Sequence, residues 1–175
     1  MQVARRAAAA VAIAAASFAA FAESDIKPWK GKPTLPLARN DIDGKPVDLK
    51  AMQGRVLVVN FWATWCEPCR DEMPSLQRLR AKLAGKPFEV ITVNFGESAE
   101  KIAQFLDKEK VTLPVLLDTQ KEAAHDWGVG GLPMTFLVDA RGRVRYSVFG
   151  EREWSEGASL ALVEKLVAEA PRARR

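Results

Sequence analysis

Residues 55–63, Arg-Val-Leu-Val-Val-Asn-Phe-Trp-Ala, are almost continuously apolar and β-branched, and they run through Thr64 and Trp65 into Cys66-Glu67-Pro68-Cys69. A strand this apolar along its whole length has both faces buried, which places it inside a parallel or mixed sheet. From Cys66 to Ala84 the pattern changes: Met73, Leu76, Leu79 and Leu83 recur at helical spacing, with Pro74 as an expected kink. The cysteine pair therefore sits where a buried strand feeds a helix. Backbone N–H groups at a helix N-terminus lack intrahelical partners and, with the macrodipole, favour negative charge. A cysteine there is stabilised as the thiolate, the nucleophilic form. Cys66 is the candidate attacking residue, and Cys69, one turn on, can resolve a mixed disulfide from within. Pro68 restrains the turn, since the N–H it lacks would have had no partner. Glu67 puts a carboxylate beside the sulfur, which opposes thiolate formation and points to a reducing pair.

Cys66 and Cys69 are the chain's two cysteines. A structural staple closing so short a loop would stabilise little. A zinc or copper centre wants more ligands, and the single histidine, His125, is far away in sequence and is expected on a helix surface. Copper(I) held by the two thiolates alone stays open as an alternative. The expectation is redox chemistry with no metal site and no cofactor.

Met1–Ala22 carries Arg5 and Arg6, then an Ala-rich apolar stretch, then Ala20-Phe21-Ala22, the pattern of a cleavable secretory signal peptide. Removing it takes two positive charges from the formal +4 and leaves +2. The stretch is short and weakly apolar for a spanning helix, so membrane contact arises only if the leader stays attached. Arg5-Arg6 is followed by plain alanines, a poor twin-arginine signal, and no cysteine near the cleavage site offers a lipid acceptor. Export makes the compartment permissive for disulfides. The remaining basic residues form no stripe interleaved with aromatics, which argues against nucleic acid.

Residues 23–32 read as a linker or extended arm, and 171–175 as a basic tail. Asn40-Asp41-Ile42-Asp43-Gly44-Lys45 has the chemistry of a hairpin turn, and Asp48 can cap a short helix through Met52. Phe88–Phe95 reads as a second apolar strand, and Ser98 opens an amphipathic helix to Lys110. Leu113–Leu117 reads as a short strand and Thr119–Trp127 as a helix. Pro133–Asp139 and Arg143–Phe149 form a hairpin about Asp139-Ala140-Arg141-Gly142, and Trp154–Ala168 reads as a closing helix. This order implies an α/β layer built on a mixed sheet.

Phe61-Trp-Ala-Thr-Trp-Cys-Glu-Pro-Cys-Arg-Asp-Glu-Met-Pro74 resembles the active-site stretch of the TlpA/ResA-like branch of the thioredoxin superfamily. Trp127-Gly-Val-Gly-Gly-Leu-Pro-Met-Thr-Phe-Leu-Val-Asp139 resembles the same family's cis-proline segment. The resemblance covers about residues 33–168 and implies a thioredoxin-like α/β fold over 33–170. That fold has a central mixed β-sheet flanked by helices and an N-terminal β-hairpin extension. It also implies a thiol–disulfide oxidoreductase, a protein-disulfide reductase working through a redox-active Cys66–Cys69 disulfide. Pro133 would be the cis-proline against the pair, and Leu132 would offer backbone groups to a partner's extended chain. Glu72 matches the acid that serves proton transfer to the resolving cysteine; by spacing it lies one turn beyond Cys69. Asn60 stands where general thioredoxins carry a buried aspartate, which shifts the proton burden to Glu72. Trp65, Glu67 and Pro68 would border the substrate, Trp62 would pack beside the site, and Trp127 would lie in the core.

With the leader pattern, the expectation is a periplasmic monomer, or a protein anchored to the inner membrane and facing the periplasm if the leader is kept; the resemblance adds the partners. Its substrates would be exported proteins with disulfides, such as apocytochrome c or copper-site assembly proteins, and a membrane-embedded donor related to DsbD would supply electrons. The rival functions are a thiol oxidase of DsbA-like direction, a thiol peroxidase, a copper(I) chaperone without turnover and a non-catalytic binding module. Reduction potential, peroxide consumption, copper(I) titration and the affinity of Cys66→Ala for partners separate them in turn.

Overall fold

The computed structural model describes residues 26–33 and 35–171. The leader expected over Met1–Ala22, and the basic tail beyond Pro171, lie outside these residues. The strands are β1 Lys27–Pro28, β2 Ala38–Asn40, β3 Pro46–Asp48, β4 Val56–Trp62, β5 Phe88–Phe95, β6 Val115–Asp118, β7 Met134–Val138 and β8 Val144–Phe149. The helices are α1 Glu67–Lys82, α2 Ala99–Glu109, α3 Glu122–Asp126 and α4 Gly157–Ala168, with a 3-10 helix at Leu49–Met52.

All seven residues of β4 are buried, as a central strand requires. The main sheet runs β1-β8-β7-β4-β5-β6; β4, β5 and β6 are parallel, while β7 lies antiparallel to β4 and β8 antiparallel to β7. The β2–β3 hairpin forms its own small sheet. Side chains alternate along β4, and that alternation divides the core. Val56, Val58 and Trp62 join Met73, Leu76 and Leu79 of α1 and Val163 and Leu166 of α4 in one cluster. Leu57, Val59 and Phe61 face the other way, against Ala123, Ala124 and Trp127 around α3 and Leu37 and Leu49 near the hairpin. Each buried aliphatic side chain in such a layer contributes about 1.5–3 kcal/mol.

This register fixes the site. Asn60 falls on the same face as Val58 and Trp62, beneath α1, and its partner across the ladder is Thr135 of β7. On α1, Cys69, Glu72, Met73 and Leu76 share the buried face. An asparagine in the middle of an apolar strand and a glutamate on an apolar helix face are thus brought together.

Two helix starts differ from the sequence-based expectation, and the linker or extended arm gains a definite place. The arm is not only a linker: Lys27–Pro28 pair with Ser147 and Tyr146 at the sheet edge, and Trp29 packs edge-on against Phe136 at 5.4 Å. The helix expected from Thr119 begins at Glu122, because the Asp118 carboxylate accepts from the N–H groups of Ala123 and Ala124 and so caps it from the strand end. The closing helix begins at Gly157, not Trp154. Trp154 is fully buried, its N–H donates to Ser75 Oγ, and the preceding residues run as a strap across α1.

Candidate active site

Cys66 is the N-cap of α1, with extended backbone, and its Sγ accepts from the Cys69 N–H at 3.3 Å. The sulfur thus occupies the position where unpaired helix N–H groups stabilise an anion. Cys66 and Cys69 form a disulfide with an S–S distance of 2.02 Å. Cys66 is 6% exposed and Cys69 0%. Both are buried, and the little surface that the pair shows belongs to Cys66. Glu67 and Pro68 are exposed in the first turn, so the Glu67 carboxylate acts on the sulfur largely through water. Trp65, immediately before the pair, is 63% exposed, a large apolar surface beside the nucleophile.

Behind the pair lies a buried polar network centred on Glu72, one turn along α1 from Cys69. Asn60 Nδ2 donates to Glu72 Oε1 at 2.7 Å and to Thr135 Oγ1 at 2.9 Å. Glu72 Oε2 accepts from Trp154 Nε1 at 3.1 Å and from the Arg152 N–H at 3.3 Å. Burial pushes the Glu72 carboxyl up to about 7, even though the donors from Trp154, Asn60 and Arg152 pull the other way. A carboxyl poised there can both accept and return a proton near neutrality.

A second network holds the loop in front of the pair. Glu97 accepts from the Thr64 N–H at 2.7 Å, Thr64 Oγ1 at 2.6 Å, Asn94 Nδ2 at 2.9 Å and Lys101 Nζ at 2.6 Å. Burial opposes its charge, but the donors from Lys101, Thr64 and Asn94 outweigh burial and bring the carboxyl down to about 2. A carboxylate held below its usual 4.5 stabilises the fold above about pH 4.5, and that contribution is lost as pH falls toward about 2. Glu97→Gln is expected to cost about 2–3 kcal/mol at pH 7 in denaturant unfolding, with the difference shrinking by pH 3. An equal cost at both pH values contradicts this role.

The Leu132–Pro133 peptide bond is cis. Pro133 is buried and Leu132 half-buried, the latter packed against the cluster that contains both cysteines. The Pro133 carbonyl accepts from the Gly150 N–H at 3.0 Å, and the backbone at Gly131 lies against the Phe149 ring, so close that a Cβ there would meet Cε2 at 2.6 Å. Met134, next in chain, pairs with Phe61 and Phe149, so this loop and the Trp65–Cys66 segment lie at the same end of the neighbouring strands β7 and β4.

Trp62 is fully buried in the cysteine cluster, tilted against Phe105 at 5.3 Å. Trp127 is core, donating its indole N–H to the Pro36 carbonyl. The His125 side chain is 89% exposed, remote from the pair. Thr64, Asn94, Glu97, Thr135 and Trp154 are polar members of the site that periodicity did not single out. Asn94 carried a faint signal, as a polar residue inside the apolar run Phe88–Phe95. No cluster of His, Cys, Asp or Glu suited to a metal occurs among the described residues.

A disulfide-forming cysteine pair at a helix N-cap, with a cis-proline loop packed against the same cluster and a buried acid one turn along the helix, defines a thiol–disulfide oxidoreductase. The AhpC/TSA family model matches residues 30–147. The thiol-disulfide oxidoreductase ResA of Bacillus anthracis is 34% identical over 122 residues, covering 70% of each chain. ResA of Bacillus subtilis (strain 168) is 36% identical over 110 residues, 63% of this chain and 62% of that one. A solved thiol:disulfide interchange protein of the thioredoxin family from Chlorobium tepidum TLS is 26% identical, with a TM-score of 0.64, covering 81% of this chain and 99% of that chain. The chain belongs to the AhpC/TSA family and, within it, to the ResA-like thiol–disulfide oxidoreductases of thioredoxin fold.

Proposed function

We propose that the protein is an exported, periplasmic protein-disulfide reductase. The observation that carries this reading is the division of the site into Cys66 at the α1 N-cap, which keeps the little exposed surface of the pair, and a fully buried Cys69 that shares the inner face of α1 with buried Glu72. In the reduced protein the Cys66 thiolate attacks one sulfur of a partner disulfide. A Cys66–partner bond forms and the partner's other cysteine leaves as a thiolate, which takes a proton from solvent. Glu72 accepts the Cys69 proton. The Cys69 thiolate then attacks Cys66 Sγ, closing the Cys66–Cys69 disulfide and releasing the partner's second thiolate. Two electrons pass from the dithiol to the partner, and a dithiol donor restores the pair.

Trp65, Glu67, Pro68 and Leu132-Pro133 form the rim that the partner's chain meets. The leader pattern over Met1–Ala22 supports export, and no helix among the described residues is long and apolar enough to cross a membrane. Exported disulfides of apocytochrome c or of copper-site assembly proteins are the partners this reading favours, with a DsbD-like membrane donor upstream. The test mixes reduced protein with a disulfide-bonded apocytochrome c peptide. Stoichiometric peptide reduction with closure of the Cys66–Cys69 bond supports the reading. An unreacted peptide with the dithiol intact overturns it.

A further inference from the structure

Trp154 lies outside the helix its neighbours form and far from the cysteines in sequence, yet its indole is fully buried with its single N–H on Glu72 Oε2 at 3.1 Å. The strap that carries it is tied to α1 at several points. Ser75 Oγ, with its one O–H, lies within hydrogen-bond distance of the carbonyls of Glu72 at 2.8 Å and Arg152 at 3.1 Å and accepts from the Trp154 N–H, while Arg78 reaches Glu153 and Ser155. Besides filling the core with the Trp154 ring, the strap delivers two donors, the Trp154 indole and the Arg152 N–H, to one oxygen of a buried acid.

We propose that Trp154 is a positioning residue for disulfide exchange: its indole N–H fixes the orientation of the Glu72 carboxyl, one turn from Cys69 on the buried face of α1, and sets how readily that carboxyl takes up and returns the resolving cysteine's proton. This rests on the role given to Glu72 above. The two oxygens are divided between elements, Oε1 to Asn60 on β4 and Oε2 to the strap, so the carboxyl cannot rotate without giving up donors on both sides. The charged groups around it are few. Asp71 neighbours it on α1; Glu151, Arg152 and Glu153 face it from the strap across a cleft of about 340 Å³; β4 and β7 present only neutral Asn60 and Thr135. Glu151 disfavours the charge on Glu72 and the indole donor favours it. Because a donor to the ionised form is worth more than one to the neutral form, removing the indole N–H makes the carboxyl a stronger base.

The experiment uses 5,5′-dithiobis(2-nitrobenzoate) on the reduced protein. Cys66 takes up one aromatic thiol as a mixed disulfide, and Cys69 then expels it in a concentration-independent phase that reports resolution alone. In the wild type this phase is expected to show a pH inflection that Glu72→Gln removes. Trp154→Phe is expected to move the inflection up by about one unit, a tenfold change in the ionisation ratio at fixed pH. Ser75→Ala, which loosens the strap but leaves the indole in place, is expected to keep it unmoved. An inflection unmoved or lowered in Trp154→Phe overturns the proposal, as does an equal shift in Ser75→Ala, which would assign the effect to strap placement. An inflection that survives Glu72→Gln instead overturns the role of Glu72. Should Trp154→Phe fail to fold, the Trp154 indole N–H resonance of the wild type still decides. Titration with the same midpoint as the kinetic phase supports the proposal, and a flat response contradicts it.

Discussion

Cys66→Ser abolishes disulfide exchange, with a loss of at least about a thousandfold, because a neutral hydroxyl at the α1 N-cap replaces the thiolate nucleophile. Cys69→Ser behaves differently. The attack by Cys66 proceeds, but the buried position holds no sulfur to resolve the product, so protein and partner accumulate as a mixed disulfide. The contrast follows from the 6% and 0% exposures of the two residues. Mass analysis after mixing each reduced variant with a disulfide-bonded peptide checks it. A Cys69→Ser variant that releases product at the wild-type rate would show that an external thiol, and not Cys69, does the resolving.

The second large effect belongs to Glu72→Gln. If Glu72 is the proton acceptor proposed above, its loss is expected to slow resolution about a hundredfold near pH 7, within the usual span of general acid–base contributions. Stability relative to the wild type changes with pH. Burial raises the folded-state value from 4.5 to about 7, so the neutral form is the one the fold favours. Its contribution is full below about pH 4.5 and is lost as pH rises through about 7. The glutamine variant is neutral at every pH, but its NH2 must face the Asn60 donor or the Trp154 and Arg152 donors, a cost that does not change with pH. Its unfolding midpoint relative to the wild type is therefore expected to rise from pH 4 to pH 8. Slower exchange with a relative stability that rises toward alkaline pH identifies a residue kept for chemistry at the expense of the fold, and a stability difference equal at the two pH values would contradict it.

Much of this site was legible because a few residue types speak unambiguously. The all-apolar β4 announced a central strand, and Cys66-Glu67-Pro68-Cys69 at the start of the α1 periodicity announced a nucleophile. Asp41 and Gly44 announced the hairpin turn that the structure closes with the Asp41 side chain. What stayed hidden depends on pairs distant in sequence. Trp154 continued a helical pattern, and nothing local showed that its indole would be spent on Glu72, 82 positions earlier. Glu97 read as a loop residue because its partner Thr64 belongs to another crossover. Lys27–Pro28 looked like linker since an edge strand of two residues has no periodicity to detect. Tertiary hydrogen bonds decided each of these, and periodicity does not encode them.

The most direct measurement is the redox equilibrium of the Cys66–Cys69 pair against dithiothreitol and glutathione, read by thiol labelling and mass. A reductase drawing on a dedicated dithiol donor is expected near the thioredoxin potential of about −270 mV, or modestly above it. A value near about −120 mV, that of the strong oxidant DsbA, would contradict the reductase assignment and make this protein a source of disulfides.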